Sequence, residues 1–319
     1  MTHFFKLSRR IARFRAPVLV VAMLVAAACD SADPFTPDSN TLPPTSEPGT
    51  LEGTQELTDL TPSLGTAYAG GIPMGLFHLP TGTYGSRYNG GLQTPSPTYL
   101  VRDLGAIKAR GGKVALNLAG SQRYYKDAAG HFSFTKWKAR IDRFRNVNFA
   151  SYVKDGTVIG HYLIDEPYDA HNFSGEKVSA ATLDAMAKYS KQLWPTMVTI
   201  VRAEPYLIPG SYSYLDAAWA QYLLRKGNVN DYIQKNISTA QKMGLALVVG
   251  LNIPGGGTNN RTMTASQVQS FGSALLSSTY PCAFVSWKYG EDALNTSGMK
   301  SAMDALRKKA ENRSSKSCH

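Results

Sequence analysis

The stretch TVIGHYLIDEP, residues 157–167, decides the architecture. It runs through Val158, Ile159, Tyr162, Leu163 and Ile164 and ends on two acids, Asp165 and Glu166, against Pro167. So continuous an apolar run marks a strand covered on both faces, the habit of parallel sheets. Pro167 has no N–H to give a neighbouring strand, so the ladder stops there. Side chains alternate along a strand, which groups Val158, Gly160, Tyr162, Ile164 and Glu166 on one face and Ile159, His161, Leu163 and Asp165 on the other. The expectation is that Glu166 points into an enclosed mouth, with Asp165 turned sideways to orient it.

Working outward, further strand-like runs occupy residues 72–79, 113–120, 197–204, 245–252 and 282–289, with a weaker one at 214–220. Amphipathic patterns of helical period fill 99–110, 137–154, 180–193, 229–243, 265–277 and 297–310, and the breakers RGG, KDG and KMG sit between helix ends and the next strand. Strand and helix alternating in this way imply a parallel sheet sheathed in helices. No GxGxxG follows the first strand, and PGGGTNN at 254–260 lacks the Lys-Ser/Thr of a phosphate loop. Polar residues instead collect at strand ends: Asn117, Glu166, Arg202 with Glu204, Asn252, and the segment 288–292. A closed (β/α)8 TIM-type barrel gathers its functional groups there. The α/β reading is therefore a single barrel domain over residues 65–319. Seven strands are legible, and the eighth is expected in 66–70 or 82–91.

A carboxyl held at the edge of an apolar barrel interior loses water. That disfavours its ionised form and suits it to proton donation. YLIDEP at a strand end resembles the clan-A glycoside hydrolase barrels, whose acid/base Glu follows the fourth strand in an Asn-Glu-Pro motif; here Asp165 replaces the Asn. The similarity extends loosely over residues 71–310. The resemblance implies that Glu166 protonates a leaving glycosidic oxygen. It also implies a nucleophilic Glu at the end of the seventh strand, where this chain has Asn252 and no acid. Glu204, beside Arg202 and before a proline, and Glu291, just past Trp287 and Tyr289, are the remaining candidates, with Glu204 ranked first. Glu204 has a simpler alternative, an ion pair with Arg202. Asn117, Asp165, Tyr168, Arg202, Asn252, Trp287 and Tyr289 are expected to line the substrate site, aromatic faces stacking on sugar rings and amides binding hydroxyls. The expected partner is an oligo- or polysaccharide, and the alternative activity is carbohydrate or cell-wall binding without turnover.

The first residues stand apart from this domain. KLSRRIARFRAP carries five cations and no acid, the apolar VLVVAMLVAAA follows, and Cys29 comes next. This is a secretory signal over residues 1–28, too short for a comfortable membrane span. Cys29 directly after small residues resembles the bacterial lipobox, although Ala26 stands where leucine is usual. The resemblance implies acylation of Cys29 and a protein exported and anchored to the cell envelope, on its periplasmic or outer face. Residues 29–64, rich in Pro, Thr, Ser and acid, read as a tether.

The chain carries a net charge of +11. Of its 34 basic residues five lie in the signal, and of its 23 acids seven lie in the tether, leaving 29 against 16 in the barrel domain. Such an excess suits a surface held near anionic headgroups or, more sharply, an acidic polymer as substrate. No nucleic-acid motif accompanies it. Beyond Cys29, Cys282 opens a strand and Cys318 follows the last helix. A βα unit returns to the level where its strand began, so a disulfide between them is expected. No His spacing suits a metal, no Gly-x-Ser-x-Gly elbow occurs, and no cofactor is called for.

Overall fold

The structure, a computed structural model, describes residues 70–85 and 87–319. The signal segment, Cys29 and the whole tether region lie outside the described residues, as do residues 66–69 of one proposed eighth strand.

Eight parallel strands close into a barrel in chain order: β1 Met74–Phe77, β2 Gly90–Gln93, β3 Lys113–Leu116, β4 Val158–Asp165, β5 Thr199–Arg202, β6 Ala217–Tyr222, β7 Ala246–Leu251 and β8 Ala283–Ser286. Closure is made by β1 against β8, with Gly75 opposite Val285. The missing strand is β2, at the end of the second expected segment. Apolar periodicity could not reveal it, because its leading residues are glycines required by close approach. A Cβ on Gly75 would lie 1.7 Å from the Gly90 carbonyl oxygen, and one on Gly90 would lie 2.7 Å from the Met74 nitrogen. The β1–β2 seam thus excludes the apolar side chains that announce a strand.

Among the described residues eight helices follow the strands: α1 Leu100–Ala109, α2 Phe134–Asp142, α3 Ala150–Lys154, α4 Ala180–Leu193, α5 Val229–Lys242, α6 Ala265–Leu275, α7 Glu291–Leu294 and α8 Ser297–Glu311. Side-chain caps start several of them. Ser179 and Thr296 accept from backbone N–H groups of their first turns, and Thr264 forms a reciprocal capping box with Gln267. The helix expected over 137–154 is two helices, α2 and α3, separated by a turn. The short α7 lies outside the expected helical segments.

The core has two layers. Between strands and helices lies the large outer cluster. Inside the barrel a smaller cluster centres on Phe77, Tyr162 and Trp219, whose ring centroids are 4.7–5.8 Å apart. At the opposite end of the barrel Cys282 and Cys318 belong to this interior cluster and form a disulfide. The C-terminal tail is stapled there, and Arg313 donates to the Pro281 carbonyl at 2.8 Å.

Candidate functional site

Inward-facing residues at the ends of β4, β5, β6 and β7 form a polar layer above the aromatic one at the C-terminal mouth. On β5, Ile200 belongs to the interior cluster, and alternation places Arg202 on the same face. On β6, Ala217 and Trp219 are interior, so Gln221 is too. On β7, Val248 places Gly250 and Asn252 inward, and Asn252 bridges to Trp287 beyond β8.

β4 departs from simple alternation. Its pairing with β5 is irregular between Tyr162 and Ile164, a bulge that shifts the face of everything after it. Tyr162 is interior, whereas Leu163 and Ile164 both pack in the outer cluster. Asp165 is therefore the residue that returns inward, where the Tyr162 hydroxyl bonds its carboxylate. This corrects the expectation that Asp165 turns sideways. Glu166, next along, takes a left-handed φ of 39°. For a non-glycine residue that conformation is uncommon and is held here by local bonds. The Glu166 N–H donates to the Arg202 carbonyl at 3.0 Å, and its own carbonyl accepts from Asp169 N–H at 3.0 Å and Asn172 Nδ2 at 3.2 Å.

Arg202 organises the layer. One nitrogen, Nη1, lies 2.8 Å from Asp165 Oδ1 and 2.7 Å from Glu166 Oε1, while Nε and Nη2 both donate to Gln221 Oε1 at 3.1 and 2.8 Å. The Tyr168 hydroxyl donates to Glu166 Oε1 at 3.3 Å. Both contacts on Glu166 thus fall on Oε1, and its side chain is 35% exposed. Burial pushes the Asp165 carboxyl up from its ordinary value; Arg202 opposes this, and the neighbouring Glu166 charge adds to it. Burial also drives the Tyr168 phenol upward, helped by Glu204 and Glu166, so it acts as a neutral donor.

The other predicted residues are distributed differently. Glu204 does not pair with Arg202. It lies past the end of β5, 2% exposed, and its Oε1 accepts from Tyr232 at 2.9 Å and from Lys226, which also donates to the Gln221 carbonyl. Glu291 opens α7 in an exposed position, with the Tyr289 hydroxyl 3.4 Å from it. Asn117 closes a turn: its Oδ1 accepts from Gly120 N–H at 2.9 Å. Trp287 packs edge-on against Phe77 and His78 at the mouth. Three buried polar atoms at consecutive strand ends, Glu204 Oε2, Gln221 Nε2 and Asn252 Oδ1, have no hydrogen-bond partner among the described residues.

Gln221, Lys226 and Tyr232 join the site with no motif to mark them. Gln221 was recoverable, because it continues the inward series of Ala217 and Trp219. Lys226 and Tyr232 carry no local signal; only the tertiary fold brings them to Glu204. Among the described residues no group of three His, Cys, Asp or Glu side chains is arranged to hold a metal, and no helix is long and apolar enough to cross a membrane.

No family profile matches the sequence, and no curated protein does. Solved structures do share the fold. Gas2p of Saccharomyces cerevisiae, solved with laminaritetraose and laminaripentaose, is 10% identical, with 80% of this chain and 70% of that chain covered at a TM-score of 0.51. The endoglucanase Cel5A of Pseudomonas stutzeri is 11% identical, with 76% and 97% covered and a TM-score of 0.48. A GH18 chitinase from Pseudoalteromonas aurantia is 12% identical, with 73% and 99% covered and a TM-score of 0.46. At these identities the likeness is one of fold alone, the eight-stranded parallel barrel.

Proposed function

We propose that the protein hydrolyses a glycosidic bond at the C-terminal mouth of its barrel, with Glu166 as proton donor. The observation that carries this reading is the seat of Glu166 at the end of the fourth strand. Arg202 and Tyr168 hold one oxygen, and the side chain keeps a third of its surface exposed above an aromatic layer. Oε2 then gives its proton to the glycosidic oxygen as the bond to the anomeric carbon breaks, and a water oxygen adds to that carbon.

The water must lose a proton to a second group. Glu204 is sequestered by Lys226 and Tyr232, so we assign that role to Glu291, reversing the order suggested by sequence. Glu291 follows β8, the strand diametrically opposite β4 in an eight-stranded ring. An acid on the far rim suits the wider spacing of about 6.5–9.5 Å that admits a water and inverts the anomeric centre, rather than the roughly 5–5.5 Å of a covalent route. The basic excess of the domain favours an acidic saccharide or a position against anionic headgroups. Export and an acyl anchor on Cys29 belong to the same proposal; Cys29→Ser should move the protein from the membrane fraction to the soluble one.

The test is turnover of an oligosaccharide panel, with the product anomer read by proton NMR. Glu166→Gln and Glu291→Gln should each lose turnover while keeping the fold. Full activity in Glu166→Gln ends the mechanism, and a retained anomer ends the role of Glu291. A second reading, saccharide binding without cleavage, is favoured by Asn252 at the end of β7, where no acid stands. Heat of binding without product would decide for it.

A further inference from the structure

We propose that Gln221 and Asn252 form a donor–acceptor fork that takes two adjacent ring hydroxyls of a saccharide; this rests on the reading above that the mouth receives a sugar. Gln221 is 2% exposed, and its amide orientation is not arbitrary. Arg202 donates twice to Oε1, so the amide must turn its oxygen to the guanidinium and its Nε2 donor away. That donor is buried and has no partner among the described residues. Leaving a buried amide donor unmatched is costly, and a group that matches it gains accordingly.

Asn252 supplies the complement. Gln221 is in register with Gly250, and Asn252 stands two residues further along β7 on the same inward face. Its backbone N–H donates to the Tyr222 carbonyl at 2.8 Å, which locks the two strand ends together. Asn252 Oδ1 is likewise buried without a partner. Between the two side chains Gly250 brings nothing into the layer. It must be glycine, since a Cβ there would lie 2.0 Å from the Val285 carbonyl oxygen. One unspent donor and one unspent acceptor, a single inward step apart on neighbouring strands, match a pair of adjacent hydroxyls, one accepting and the other donating. A carboxylate would meet the donor but clash with Oδ1, so the fork selects a neutral edge of the sugar even if the polymer bears acids elsewhere.

The test uses calorimetry with cellotetraose, laminaritetraose and mannotetraose on the full barrel domain with its tether. Gln221→Glu keeps an acceptor for Arg202 and replaces the donor; Asn252→Ala removes the acceptor and leaves Gln221 untouched. Each should weaken the bound tetraose by about tenfold or more, with unchanged far-ultraviolet circular dichroism, while Ser238→Ala on the exposed side of α5 keeps wild-type affinity. Equal affinity in both fork variants overturns the fork and leaves the Glu166 reading intact if Glu166→Gln alone abolishes turnover. Wild-type protein that binds none of the three overturns the fork, whose neutral hydroxyl edge all three present; the saccharide reading falls with it only if an acidic tetraose, tetragalacturonate, is not bound either.

Discussion

Asp165 and Arg202 are register partners at the ends of β4 and β5, and their side chains meet at 2.8 Å. The same guanidinium nitrogen reaches Glu166, so one cation separates two carboxylates that are neighbours in sequence. Arg202 is 9% exposed, and removing it leaves two carboxyl groups side by side with nothing between them. Loss of one partner from a fully buried pair costs about 3–5 kcal/mol. Both acids here are about a third exposed, so Arg202→Met should cost about 2–3 kcal/mol in urea denaturation. Arg202→Lys should recover part of the stability but not the two bonds to Gln221, since an ammonium has no fork. A Met variant as stable as wild type would show that the clamp contributes nothing.

Most of the barrel was legible because parallel strands buried on both faces are dominated by apolar residues, and seven of them are. The eighth was hidden by Gly90 and Gly91, chosen for contact distance and not for hydrophobicity. At the site, the identity of Glu166 as a strand-end acid could be read directly. The facing of Asp165 could not, because a bulge inside an apolar run leaves no mark in composition. Nor could the fate of Glu204, which depends on a lysine 22 positions later and a tyrosine 28 positions later. Sequence proximity made Arg202 its natural partner; the turn after β5, where Ala203 N–H bonds the Val201 carbonyl, carries Glu204 away from it.

The β1–β2 seam gives a sharp packing prediction. Gly75→Ala places a methyl group 1.7 Å from a backbone oxygen, and backbone cannot swing aside as a side chain can. Overpacking usually costs about 1–3 kcal/mol, and this position should exceed that range. Gly82→Ala, where an added Cβ meets nothing within 4 Å, is the control and should change the melting temperature little. Equal melting of both variants would contradict the seam as described.

The Cys282–Cys318 disulfide closes a span of 36 residues and holds the tail under the barrel. On a chain-entropy account such a loop is worth about 3–4 kcal/mol. Cys318→Ser should lower stability by about that amount under oxidising conditions. Wild-type protein in reductant should fall to the same level, because both remove one constraint on the unfolded chain. A reductant-insensitive melting temperature would show that the bond does not bear on stability.

His161 sets the acid limit of the fold. It is fully buried on β4 between Trp137 and Trp194, with Nδ1 2.8 Å from Ser190 Oγ, and burial pushes its pKa down to about 3. In the unfolded chain the imidazole titrates near about 6.5. Between these values the unfolded state binds a proton that the native state refuses, so stability falls as pH drops through that window, by up to about 1.4 kcal/mol per pH unit. Asp165, pushed up from its ordinary value, acts with the opposite sign, so the comparison must keep it constant. His161→Gln does so: the amide can still bond Ser190 and does not titrate. Urea midpoints measured from pH 4 to 7 should slope steeply in wild type and more gently in His161→Gln. Parallel slopes would mean that the imidazole is protonated inside the fold or that another group governs acid unfolding.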